Sequence, residues 1–390
     1  MTAPNDTSFT IRCLQPDLPT CEEILPYLEQ IDKNQWYSNF GPLVGEFEKQ
    51  LTTYLTDFSE RQVFLTTTAT GTAALELVLA ALELPKQARI LVPSFTFPAT
   101  VTAIVRAGYV PIFTDVDPYS WALTPELAET ILEHVDVDAI VTVSAFGQRH
   151  KVDAWDTLST KKNIPIVIDA AAGFGNQSIG KKTIVTHSLH ATKPFGIGEG
   201  GLVCAHDQAF IEKTRSLSNF GFVSGSIANI GSNAKLSEYH AAVGLVQLKR
   251  FAKIQNMRQR LWKTYLDLLF HYTPLGDFIT LPLPITRKPL ATLCITTPFD
   301  AEIATHALRN FGIETRRWYY PPVHEHPACN KFQTINASGS STLDVTENLK
   351  NCLIGLPFHT RLTLKHIQMI CDVLFSSFRR ISKEQRATTY

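Results

Sequence analysis

Between Val63 and Ala170 the chain alternates short, uniformly apolar runs with helix-forming segments, and this rhythm restricts the fold more than any other feature. VFLTT, RILVP, YVPIFTDV, DAIVTVSAF and IPIVIDA read as strands. Between them, ATGTAALELVLAALEL, PATVTAIVRAG, TPELAETILEHV and a weaker stretch near Asp153–Lys162 read as helices. In the third of these, Thr124 and Glu126 suit the N-terminal end. A strand that is apolar at every position must be covered on both faces. The pattern therefore predicts an α/β fold, a mainly parallel central sheet covered by helices. Such sheets bind ligands at the carboxyl ends of their strands, so the residues just after strands are the candidates for chemistry.

Three such places carry suitable side chains. Gly71, Thr72 and Ala73 follow the first strand and open a helix. Unpaired N–H groups at a helix start, with hydroxyls and a glycine, form an anion site; a simple N-cap is the alternative. The segment is neither a P-loop, lacking Lys-Ser/Thr at the right spacing, nor a Gly-x-Gly-x-x-Gly fingerprint. Phe97, in PSFTFPAT after RILVP, can lie flat on a ring. Asp169 ends IPIVIDA, where a carboxylate at a buried strand tip needs a cation or strong donors.

The fourth feature is HSLHATKPFGIGEGG, His187–Gly201. It holds one lysine, Lys193, followed by Gly196, Gly198, Gly200 and Gly201, and it runs into the strand-like LVCA. A dense glycine run marks a tight loop pressed against something, which would hold Lys193 at the sheet edge. Taken together these are the parts of a pyridoxal 5'-phosphate site: phosphate anchor, stacking surface, partner for the ring nitrogen and Schiff-base lysine. Their order along the sheet carries the signal, since each alone is weak.

Composition removes other classes. Lys+Arg and Asp+Glu are equal at 36 each, so there is no basic surplus for nucleic acid. MTAPNDTSFT lacks the features of a signal peptide, and no apolar run approaches the length that spans a membrane. The seven cysteines form no Cys-x-x-Cys pair, which fits reduced thiols in the cytoplasm. His324 and His326 are close in sequence, but no second group with ligand spacing joins them, so no metal is expected.

From WYSNFGPLVGEFE to LIGLPFHTRLT the chain resembles the DegT/DnrJ/EryC1/StrS family of sugar aminotransferases, within the aspartate aminotransferase fold (fold type I). The likeness rests on ATGTAALEL, VPSFTFPAT, DVDP, Gly147–Gln148, DAAAGFG, SLHATKPFGIGEGG, SNAKLSEYHAAVGLVQL and GIETRRWYYPPVHEHPA. It implies a pyridoxal phosphate-dependent enzyme with Lys193 as the Schiff-base lysine, Asp169 on the ring nitrogen and Phe97 stacked on the ring. Gly71, Thr72, Ala73 and Ser188 take the phosphate-binding places. Asn233 matches an asparagine that reaches the other subunit's cofactor, which implies a homodimer. His324 and Tyr320 beside Tyr319 fall where relatives approach the sugar nucleotide; Arg317 beside Arg316 could meet a diphosphate or be solvated, and His190 could support the loop or the ring edge.

Two positions depart from the family. Ala172 stands where a Gln, His or Glu is usual, and Lys235 where an arginine is common. The implied reaction moves an amino group, with glutamate as donor, to a nucleotide-linked 4-keto-6-deoxyhexose for surface polysaccharide or deoxyamino sugars. The alternatives are a 3-keto sugar, dehydration on the same cofactor, or a non-catalytic regulator. At 390 residues two domains are expected. The large one, with an N-terminal arm, is placed at 1–254, and a smaller α+β one at 255–390 ends in an amphipathic helix and a frayed tail.

Overall fold

The computed structural model describes residues 9–272, 279–285 and 288–387. Most of MTAPNDTSFT and the last three residues of the tail lie outside them. Two helices open the chain, α1 (Cys21–Asn34) and α2 (Pro42–Ser59). The alternation then runs β1 (Phe64–Thr68), α3 (Gly71–Ala81), β2 (Arg89–Pro93), α4 (Pro98–Arg106), β3 (Val110–Thr114), α5 (Pro125–Ile131), β4 (Ala139–Val143), α6 (Val152–Lys162) and β5 (Ile166–Asp169). Next come β6 (Ile184–Ser188) and β7 (Gly201–Ala205), with no helix between them, and α7 (Gln208–Ser218). A short hairpin, β8 (Phe222–Val223) and β9 (Ser226–Ile227), leads into α8 (Glu238–Tyr272). The remainder is β10 (Leu293–Thr296), α9 (Ala301–Arg309), β11 (Thr334–Ile335), α10 (Asp344–Cys352), β12 (Leu353–Leu356) and α11 (Leu364–Ala387). The tail expected to fray is thus helical through Ala387.

Eight strands form the main sheet in the order β1-β7-β6-β5-β4-β2-β3-β11. All its pairings are parallel except those of β7, which runs antiparallel to β1 and β6. Every residue of β4, β5, β6 and β7 is buried, as the unbroken apolar runs require. One face packs on Phe47 and Leu51 of α2, Trp155 of α6, and Leu245 and Phe251 of α8. The other packs on Leu75 and Val78 of α3, Val101 and Ile104 of α4, and Ile211 of α7. Each such side chain contributes about 1.5–3 kcal/mol on burial.

Helix starts follow their capping residues. Thr20 forms a reciprocal capping box with Glu23, and Thr70, Thr124 and Asp207 each accept a first-turn N–H of α3, α5 and α7. α2 begins on a glycine and a proline, and its cap comes from elsewhere. Glu238, buried at the start of α8, accepts from the amides of Leu43 and Val44 at 2.8 Å each.

A second core gathers Trp262 and Tyr265 of α8 with Ile295, Leu308, Ile354, Ile367 and Leu374. The boundary expected at 254/255 falls inside α8, whose first half serves one core and whose second half serves the other. Two segments cross that division. Ile11 belongs to the second core and pairs with Ile313, while the Cys13 amide donates to Glu314 at 3.0 Å. In return, β11 extends the main sheet beside β3, and Val323 and Leu343 join the core under α3 and α4.

Candidate active site

Ser188 at the end of β6 pairs with Gly201 at the start of β7, so the loop between them leaves from and returns to one point of the sheet. Backbone bonds lace it shut: Leu189 N–H to Gly200 C=O, Ile197 N–H to Leu189 C=O and Ala191 N–H to Gly198 C=O, each at 2.8 Å. Its underside is pinned by buried Phe195, which stacks on Phe174 with centroids 4.4 Å apart. Lys193, whose N–H donates to the His190 carbonyl, therefore stands on a fixed backbone. Its partial burial pulls the ammonium below the usual lysine range, while Asp169 opposes that shift. A lysine so placed is more readily a free amine at neutral pH. It also lines a cavity of about 20 Å³ with Asp17, Arg258, Phe358 and His359, where the N-terminal segment and the second domain meet the loop. A larger cavity of about 950 Å³, near Tyr119, Trp121 and Phe299, holds none of the residues expected in the site.

Asp169 lies buried at the end of β5, in the middle of the sheet. Burial pushes its carboxyl above the ordinary range; opposing this, in falling order, are the Thr100 hydroxyl, the Ala171 amide and the charge of Lys193. The hydroxyl donates to Oδ2 at 2.7 Å and the amide to Oδ1 at 3.1 Å. Lys193 and Asp169 are thus brought within electrostatic reach, as the sequence led one to expect.

At the start of α3 the Thr70 hydroxyl accepts the Ala73 amide at 3.0 Å. The Ala73 N–H, one of the expected phosphate donors, is thus engaged by the cap. No acceptor among the described residues faces the amides of Gly71 and Thr72, the first two of the helix. Gly71 touches Ser188, since a Cβ on it would fall 2.7 Å from Ser188 Cβ. Two residues 117 positions apart in sequence, read only as separate phosphate ligands, therefore form one wall.

The remaining candidates are placed as follows. Phe97 is the N-cap residue of α4 and is 46% exposed. Asn233 is exposed and bridges to Asn219, and Lys235 Nζ donates to the Asn219 side chain at 2.8 Å. His190 turns back on its own loop, with Nδ1 2.9 Å from the Thr192 hydroxyl. Tyr320 is exposed beneath the Arg317 guanidinium. Arg317 itself binds Glu302 at 2.6 Å and the Lys350 carbonyl at 2.5 Å, so both of its terminal nitrogens hold the second domain together. His324 is held at both ring nitrogens, Nδ1 by Ser94 Oγ at 2.5 Å and Nε2 by Glu347 at 3.1 Å. Glu325 and Glu347 do cluster with His324, a grouping that sequence spacing did not lead one to expect, and the Lys350 ammonium pairs with both carboxylates.

Thr100 escaped the sequence reading, which named Tyr319 and Tyr320 together without separating them. Thr100 carried no signal, because its role appears only when α4 is laid beside the end of β5. Tyr319 rather than its neighbour Tyr320 comes within electrostatic range of Asp169; burial pushes its phenol far up, and Asp169 adds to that. It stacks on Phe146 at 5.4 Å and meets Phe95 edge-on at 4.9 Å.

A mainly parallel sheet of this order, with a loop lysine facing a strand-end aspartate, is the architecture of the fold type I pyridoxal phosphate enzymes. The residues suit that cofactor: two open helix-start amides beside a serine meet a phosphate, and a buried anion meets a protonated ring nitrogen. The chain belongs to the DegT/DnrJ/EryC1/StrS aminotransferase family, whose model matches residues 20–375. It is therefore a pyridoxal phosphate-dependent aminotransferase.

Relatives span nearly the whole chain. The Mycobacterium tuberculosis protein Rv3402c is 31% identical over 363 residues, 89% of this chain and 85% of its own. The dTDP-4-amino-4,6-dideoxy-D-glucose transaminase of Shigella dysenteriae is 27% identical, with 92% and 97% covered. A solved DegT/DnrJ/EryC1/StrS aminotransferase from Brucella abortus superposes with a TM-score of 0.79 at 27% identity, covering 90% of this chain and 94% of that one.

Proposed function

We propose that the enzyme moves an amino group from L-glutamate to a keto carbon of a nucleotide-linked sugar, a 4-keto-6-deoxyhexose, in surface polysaccharide or deoxyamino sugar synthesis. The observation that carries this reading is the joint placement of Lys193 and Asp169, in a chain of which 92% aligns with a dTDP-sugar transaminase. A 3-keto sugar is the second reading, favoured by a Pseudomonas aeruginosa relative named UDP-2-acetamido-2-deoxy-3-oxo-D-glucuronate aminotransferase.

Pyridoxal phosphate, when bound, would supply an electron sink for the charge left by proton removal at the donor's Cα. Lys193 would hold the cofactor, and its amine, when free, would take the donor's Cα proton as general base and return it as general acid. Asp169 holds the proton on the ring nitrogen. The Gly71 and Thr72 amides and the Ser188 hydroxyl hold the phosphate, and Phe97 covers one ring face. Tyr320 and His190 meet the sugar, with His324 and Arg317 shaping the wall behind them through Ser94, Glu347 and Glu302.

Gly71→Ala tests the phosphate wall. Its methyl must displace Ser188, and overpacking of about 1–3 kcal/mol corresponds to a roughly ten- to hundredfold weaker cofactor affinity. Titrating the apoprotein with pyridoxal phosphate by absorbance measures it, and unchanged affinity would remove Gly71 and Ser188 from the cup.

The same reading makes the enzyme a homodimer in which Asn233 completes the partner's site. Supporting it, the segment before Asn233 exposes Phe220, Phe222, Val223, Ile227 and, at 92%, Ile230. Large apolar side chains exposed together on one segment fit a protein interface. Lys193→Ala and Asn233→Ala variants, each impaired alone, should recover activity when refolded together, because one site of each mixed dimer is then complete. No recovery, with mixed dimers demonstrated, would place Asn233 in its own subunit's site. No helix among the described residues is long and apolar enough to cross a membrane, and we place the enzyme in the cytoplasm.

The direct test incubates the enzyme with L-glutamate and a panel of dTDP-, UDP- and GDP-linked keto sugars, following 2-oxoglutarate and locating the new amine by NMR. Turnover with a 4-keto-6-deoxyhexose is expected. Failure with every sugar nucleotide would overturn the substrate assignment.

A further inference from the structure

Asp169 presents a problem that the family resemblance does not address. It is 5% exposed, and burial favours its neutral form, yet a partner for a protonated ring nitrogen must be an anion. Among the described residues, Lys193 and Tyr319 are the titratable groups within its electrostatic reach. Tyr319 is a phenol that stays neutral. Lys193 must give up its charge to act on the cofactor. Something that does not titrate has to keep the carboxylate ionised.

The structure provides it in α4. Thr100 Oγ1 lies 2.7 Å from Asp169 Oδ2, and Thr96 Oγ1 lies 2.8 Å from Thr100 Oγ1. Thr96 is fully buried and Thr100 is 1% exposed. A hydroxyl has one proton to give. An ionised carboxylate accepts only, so Thr100 donates to Asp169 and must itself accept from Thr96. The other acceptor open to Thr96 is the Phe97 carbonyl at 3.5 Å, the limit of a hydrogen bond. Both protons therefore point the same way, toward Asp169. The nine-residue α4 starts at Pro98, between the two threonines, so its positive end lies on the same side.

We propose that Thr100, backed by Thr96, is a positioning residue: a two-hydroxyl relay that holds Asp169 ionised and fixes Oδ2, leaving the carboxylate ready for the cofactor ring nitrogen. The relay rests on the role assigned to Asp169 above. Valine has the shape of threonine without the donor, so Thr100→Val removes the bond alone. Thr100→Ser keeps it.

The test measures pyridoxal phosphate dissociation constants and apoprotein melting temperatures from pH 5 to 9. Thr100→Val should weaken cofactor binding about ten- to a hundredfold at neutral pH, as loss of a hydrogen bond to a charged group does. Thr100→Ser should bind as the wild type does. Thr96→Val should show a smaller loss that vanishes in the Thr100→Val background, since it acts only through Thr100. The sign with pH follows from linkage. The donors favour the charged form, so the melting-temperature gap between wild type and Thr100→Val should widen as pH rises through the Asp169 titration and close below it. The gap should be lost when Asp169 is asparagine.

Wild-type affinity in Thr100→Val, additive losses, or a gap that persists in Asp169→Asn would each overturn the relay. If Asp169→Asn itself leaves affinity unchanged, the role of Asp169 fails, and the relay with it. Should Thr100→Val not fold, Thr96→Val and Thr100→Ser carry the same comparison.

Discussion

With alanine at position 193, amino transfer should fall by at least about two to four orders of magnitude, the share that positioned proton transfer alone supplies. The loss should appear in the first half-reaction, as 2-oxoglutarate no longer formed from glutamate. Borohydride supplies a second readout. Reduction of the wild-type holoenzyme should fix the cofactor on the peptide that carries Lys193 and bleach the yellow colour, whereas the variant should retain no cofactor mass after denaturation. The loop makes this clean, because its backbone is held by its own hydrogen bonds and by Phe195 rather than by the lysine side chain. A variant that turned over normally would sink the whole assignment.

Asp169→Asn should lower amino transfer and cofactor affinity together, by roughly two to three orders of magnitude, the scale on which one member of a buried charge pair is lost. Stability should move the other way. An acid whose folded pKa is raised makes the folded state bind more protons than the unfolded one. Its cost appears as pH rises from the unfolded value through the folded one, and it is complete above both. Burial raises the carboxyl of Asp169, so at neutral pH it burdens the apoprotein. The asparagine variant should therefore melt higher than wild type without cofactor, by an amount that shrinks toward acid pH, while binding the cofactor worse. A lower melting temperature at neutral pH would mean that the surrounding donors already outweigh the burial.

The central sheet was readable because β4 and β5 are buried on both faces and leave nothing but apolar residues in the sequence. Lys193 was readable because a loop that leaves and re-enters a sheet at one point needs glycines. Gly201 is the clearest case: a Cβ there would stand 2.5 Å from Thr68 Oγ1. What could not be read depends on distance in space rather than pattern in sequence. Thr100 and Asp169 are 69 positions apart and look like ordinary helix and strand residues until β4 brings their elements together. Tyr319 reaches Asp169 from beyond α8, and adjacent tyrosines give no sign of which one turns inward. β11 is two residues long and has no period to detect. The clustering of Glu325, Glu347 and Lys350 about His324 likewise needs α10 folded against the segment before it.

The exchange of Ile11 and Cys13 for β11 has a practical consequence. Expressed alone, a piece ending in the middle of α8 would leave β3 as a bare outer strand, an invitation to aggregate. The complementary piece would lack the stretch that pairs with Ile313 and Glu314. Neither half is a free-standing unit, and the protein should mature and melt as one cooperative body.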